Sequence, residues 1–130
     1  MCVVCGDAAT GLHYSLGEND GQLTYGGLDT VNCDSQISYV PLTEAALWKF
    51  KVTGFFVGAK YFNGSGLAVI DTHHPTLSID RAYLDIILKE FGADSGGEFP
   101  CADAHPDLKL VIGGKTYAIP TKYILNVIDE

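Results

Sequence analysis

Gly66-Leu67-Ala68-Val69-Ile70-Asp71-Thr72 is a continuous apolar run that ends in a carboxylate. Four uninterrupted apolar residues predict a strand buried on both faces. Such a strand carries Asp71 toward an interior, where a charge is costly without a partner. Thr72 supplies a hydroxyl and a backbone amide that can hold it. Read alone, an aspartate at a strand end is more often a turn former than a catalyst. Asp71 is nevertheless the residue whose placement most needs a chemical reason.

Working outward, the neighbouring segments predict short strands between tight turns. Trp48, Phe50 and Val52 alternate with Lys49 and Lys51, the pattern of a half-buried strand with Trp48 in the core. Phe55-Phe56-Val57 lies between Gly54 and Gly58 and predicts another strand. Gln22 to Tyr25 and Ile37 to Leu42 are further candidates, the latter with Pro41 near its end. Leu108 to Ile112, Gly113-Gly114 and Thr116 to Ile119 read as a hairpin. Tyr123-Ile124-Leu125 is a last apolar segment, and His105-Pro106 reads as a turn. One helix is expected from about Ile79 to Phe91, capped by Ser78 or Asp80 and stopped by Gly92. The fold class is therefore mainly β with one clear helix.

The chain of 130 residues suits one ordinary domain, and 47% hydrophobic against 18% charged residues is enough for a core. A formal net charge of −8 repels phosphate backbones, so no nucleic-acid partner is expected. No apolar stretch is long enough to span a bilayer, and no membrane partner is expected. Residues 1–16 differ from the rest and are expected to form an irregular stub, leaving 17–130 as the folded unit.

The ordered set Thr24-Tyr25-Gly26-Gly27-Leu28-Asp29-Thr30, Tyr39-Val40-Pro41-Leu42-Thr43, Trp48 to Val52 and Ala68-Val69-Ile70-Asp71-Thr72 resembles the pepsin family of aspartic proteases. Pro106 to Tyr117 resembles that family's late hairpin, and the wording around Cys33 is most similar to nematode members. The resemblance covers about nine-tenths of the chain and implies a partial pepsin-like C-terminal lobe. It further implies peptide hydrolysis by two aspartates, one per lobe, that share a proton and a water. Asp71 falls on the C-lobe aspartate, and Thr72 on the residue whose hydroxyl braces the two catalytic loops. The implied partner is a polypeptide or peptide, with a partner lobe or a homodimer completing the site. No cofactor is implied.

The chain departs from that pattern. Where the family reads Asp-Thr-Gly-Thr-Ser, this chain reads Asp71-Thr72-His73-His74-Pro75, losing a permissive glycine and a serine hydroxyl. The one Asp-Ser-Gly, Asp94-Ser95-Gly96, follows the helix stop Gly92 rather than an apolar strand, and no second catalytic-type loop is read in the chain. The expectation is an aspartic endopeptidase relative that is truncated and inactive alone. The alternatives are a peptidase completed by a dimer or partner lobe, and a non-catalytic peptide-binding fragment. His73 and His74 are adjacent, so on a strand they face opposite ways and make a poor metal site.

Four cysteines remain: Cys2, Cys5, Cys33 and Cys101. Cys101 falls on a family cysteine whose partner lies beyond Glu130, so it is expected unpaired unless Cys33 or another chain captures it. Cys2 to Tyr14 resembles the opening of a nuclear-receptor zinc module, which makes Cys2 and Cys5 the metal candidates. The second cysteine pair and the basic recognition helix of that module are absent. The family is secreted or lysosomal, yet no leader pattern is visible, so the sequence as written is expected in a reducing compartment. Asn63-Gly64-Ser65 fits the N-glycosylation acceptor pattern, with an ordinary turn as the preferred reading.

Overall fold

The computed structural model describes residues 2–5, 12–16, 21–71, 73, 77–100 and 104–124, the first two segments by backbone alone. Two compact units divide after Tyr39. In residues 1–39, β1 (Cys2–Cys5), β2 (Leu12–Leu16) and β3 (Gly21–Tyr25) form an antiparallel sheet in that order. The stub expected to be irregular therefore carries two strands. In β2, Leu12, Tyr14 and Leu16 alternate with His13 and Ser15, a strand period of five residues, whereas Cys2-Val3-Val4-Cys5 of β1 shows none.

The second unit holds the sheet that carries Asp71. Its strands are β4 (Leu42–Glu44), β5 (Lys49–Val57), β6 (Lys60–Ala68), β7 (Leu108–Ile112) and β8 (Lys115–Ile119). Residues 54–57 of β5 pair with both β6 and β7, so those two flank it on opposite sides. β8 continues beyond β7, and β4 pairs with the start of β5. β5 joins what read as two strands: Gly54 does not interrupt the ladder, and the irregularity is absorbed at Thr53, which is the extra residue against β7 and faces both Gly64 and Ser65 of β6. Trp48 is not part of the alternating strand; it turns the chain into β5 with φ 53 and is half-buried. Residues 37–41 are not a strand, and regular pairing begins only after Pro41, which has no amide hydrogen to donate.

The helix α1 (Arg81–Phe91) forms as its spacing predicts. Asp80 caps it by accepting from the Ala82 amide, and Gly92 closes it at φ 79. Ile87 and Phe91 point into a core of Phe55, Val57 and Leu108. Phe55 stacks on Phe62 with ring centroids 5.1 Å apart and meets the edge of Tyr83 at 5.6 Å. Lys60 pairs with Glu90, joining β6 to the helix at its rim. The β7–β8 hairpin turns through Gly113 and Gly114 at φ 58 and 77, the two positive values that a two-residue turn of this kind demands. Beyond Tyr123 only Ile124 of the last apolar segment is described, and it packs against the core.

β6 departs most from expectation. The strand ends at Ala68, and Leu67 and Val69 are 63% and 49% exposed, so the apolar run is not buried on both faces. The reason is topological: β6 pairs only with β5 and lies at the sheet edge among the described residues.

Two outcomes are expected. Leu108, fully buried, fills the centre of the core, and Leu108→Ala should cost about 3 kcal/mol in urea unfolding. Asp94, just past α1, accepts from the amides of Gly96 and Glu98 at 2.8 and 3.0 Å. Those bonds, that of Glu98 foremost, hold its carboxyl below the usual carboxylate range. Its stabilisation is thus present above the unfolded value and lost as pH falls through the lower folded value. The midpoint gap between the native chain and Asp94→Asn should narrow below about pH 3.9.

Candidate functional site

Asp71 follows β6 by three residues and is exposed, not carried inward. Because β6 is an edge strand, its end delivers the carboxylate to the surface of this unit. Asp71 Oδ1 accepts from the His73 amide at 2.8 Å, an aspartate-initiated turn. The donor comes from the backbone, so the bulk of His73 does not prevent this amide from reaching the carboxylate. His73 is itself exposed. Thr72, His74 and Pro75 lie outside the described residues, as does Cys101.

The position of Asp71 depends on the β5–β6 ladder. Phe50 pairs with Ala68 and Lys51 with Leu67, so the register holds to the last residue of β6. Phe50 is buried and anchors the near end of this ladder. The hairpin's far end turns at Gly58, whose amide donates to the Asp107 carbonyl at 2.9 Å. Asp71 is thus carried on a strand fixed at both ends, followed by one hydrogen-bonded turn.

A second aspartate escaped the sequence reading. Asp29, in the first unit, is the buried charged residue among those described. Its Oδ1 accepts from the amides of Val31 and Asn32, each at 3.0 Å, and its Oδ2 from Asn32 Nδ2 at 2.8 Å. These bonds make Asp29 a clamp on its own turn. Its signal was available in the run Asp29-Thr30-Val31-Asn32, since Asp and Asn favour such turns.

The metal candidates fare differently from Asp71. Cys2 and Cys5 occupy the two ends of β1, whose register pairs them with Ser15 and Leu12. An extended strand spaces residues three apart by about 10 Å, whereas a zinc-binding pair must bring two sulfurs to one ion. The zinc-module reading therefore gains no support. Among the described residues no group of three His, Cys, Asp or Glu side chains is placed to hold a metal. Cys33 is disulfide-bonded, contrary to the expectation of a reducing compartment.

Known proteins resemble this chain over most of its length. The family model described as eukaryotic aspartyl protease matches residues 9–130. Aspartic protease 17 of Caenorhabditis elegans is 36% identical over 125 residues, covering 89% of this chain and 32% of that protein. Aspartic protease 1 of the same organism is 32% identical over 125 residues, covering 91% and 31%. Pepsin A of Gallus gallus is 30% identical over 115 residues, covering 85% and 31%. The chain thus spans about a third of the length of these relatives.

Removing the Asp29 carboxylate takes away the charged acceptor of the Val31 and Asn32 amides, which lie in an exposed stretch. Asp29→Ala should lower stability by about 1–3 kcal/mol in chemical denaturation, with Asp29→Asn retaining part of the loss.

Proposed function

Since the chain belongs to the eukaryotic aspartyl protease family, we propose that it serves acid peptide-bond hydrolysis by supplying one of two catalytic carboxylates, Asp71, and has no such activity alone. The observation that carries this reading is Asp71 itself. It stands at the end of an apolar run, three residues past β6 and inside the family-matched segment, solvent-accessible and oriented by the His73 amide.

The chemistry requires two carboxyl groups close enough that both do not ionise together. The ionised one takes a proton from water as the water oxygen attacks the peptide carbonyl carbon. The protonated one gives its proton to the carbonyl oxygen. The resulting tetrahedral species collapses with cleavage of the C–N bond once the amide nitrogen is protonated. Asp71 supplies one carboxyl, and Thr72 is assigned the bracing hydroxyl. The one Asp-Ser-Gly of the sequence, Asp94-Ser95-Gly96, closes a local turn just past α1 in which Asp94 accepts from the Gly96 and Glu98 amides, so the second carboxyl is assigned to another polypeptide segment. His73, in place of the family's glycine, makes this loop bulkier than that of an unaltered protease.

The test is cleavage of a denatured protein at acidic pH by the purified, folded chain. It runs beside Asp71→Asn and a pepstatin-type inhibitor. No cleavage above the Asp71→Asn background is expected. Cleavage abolished by both the substitution and the inhibitor would mean that a homodimer provides both carboxylates, overturning the claim that the chain is inactive alone.

A further inference from the structure

Asn63-Gly64-Ser65 is the single Asn-x-Ser/Thr triplet of the sequence, and the structure does not place it in the turn expected for it. It lies within β6, at the edge of the five-stranded sheet. Asparagine is depleted in strands, so its presence there calls for a reason.

Packing supplies a reason for Gly64 but not for its neighbours. A Cβ on Gly64 would stand 2.8 Å from the Tyr83 ring, so the close approach of α1 requires glycine. Asn63 and Ser65 are both exposed. No side-chain hydrogen bond engages either of them among the described residues. The β5–β6 register passes from Val52↔Gly66 to Gly54↔Asn63, so Gly64 and Ser65 together stand opposite Thr53. This bulge interrupts the ladder inside the triplet. Phe62 packs against the core, and by strand alternation Asn63 points to the opposite face.

We propose that Asn63 is an N-glycosylation site. The donor is a lipid-pyrophosphate-linked oligosaccharide. The Asn63 amide nitrogen forms a bond to the sugar C1 as the C1–O bond to the lipid pyrophosphate breaks. The amide proton passes to a base of the transferase, and the lipid pyrophosphate leaves. The Ser65 hydroxyl is the part of the triplet that the transferase recognises. A glycan placed on the nascent chain is compatible with this fold because the acceptor side chain ends outside the core, on a strand with no outer neighbour among the described residues. Exposed Tyr61, two residues earlier on the same face, offers its ring to the first sugar. The disulfide at Cys33 points independently to an oxidising compartment, where this modification occurs. The glycan then does for the β6 edge what charges and prolines do elsewhere: it obstructs addition of a foreign strand. None of this depends on catalysis by Asp71.

The test directs the full chain into microsomes with an appended cleavable leader and scores only protease-protected material by gel mobility and mass. One discrete glycan step is expected for the native chain and for Ser65→Thr. Peptide-N-glycosidase should abolish it and leave aspartate at position 63. Asn63→Gln and Ser65→Ala, both at exposed positions, should migrate at the deglycosylated position. A protected native chain without the step overturns the proposal, as does a step that persists in Asn63→Gln.

Discussion

The contact between the Phe55 ring and helix α1 is the constraint on which the second unit depends. Phe55 lies on the central strand β5, stacks on Phe62 of β6 and meets Tyr83 of α1 edge-on. Val57, Leu108, Ile87 and Phe91 close the same cluster. One side chain therefore ties the helix to two strands, with the third strand joined through Leu108. Among the described residues one face of the sheet gains this helical cover, and Gly64 lets Tyr83 approach closely enough to complete it.

That one-sided core explains the behaviour of β6. Its inner residues pack under α1, while the outer edge and the run after Ser65 remain exposed. Asn63, on the strand, and Asp71, three residues past its end, are both surface residues. The ladder to β5 fixes the route of the chain as far as Ala68. Beyond it, the turn bond from His73 orients the carboxylate. A catalytic role for such a group rests on chemistry supplied by a second carboxyl, which is why the functional reading is a statement about half of a site.

The elements that were legible carried local signals. Asp80, the spaced apolar residues and Gly92 marked α1, and Gly113-Gly114 marked the β7–β8 turn, because caps and positive φ values are decided by individual residues. The family was legible because its motifs occur in order. The strand β1 was not, since Cys2-Val3-Val4-Cys5 does not alternate; β2 does, with Leu12, Tyr14 and Leu16 against His13 and Ser15, but over five residues alone. Ile37 to Leu42 misled because β-branched composition measures fitness for a packed surface, and residues 37–41 have no strand partner. Asp29 was overlooked because its hydrogen bonds are local but its burial is not.

The sequence by itself determined the mainly β class, the helix and its caps, the late hairpin, and Asp71 as the carboxylate to follow. All of these rest on residues within a few positions of one another. Only the tertiary structure decided that Leu67 and Val69 are exposed, that β5 is one strand, and that Asn63 stands on a sheet edge. Burial and edge position depend on which distant segments pair with a strand. An apolar run reads the same along the chain whether two neighbours cover it or one.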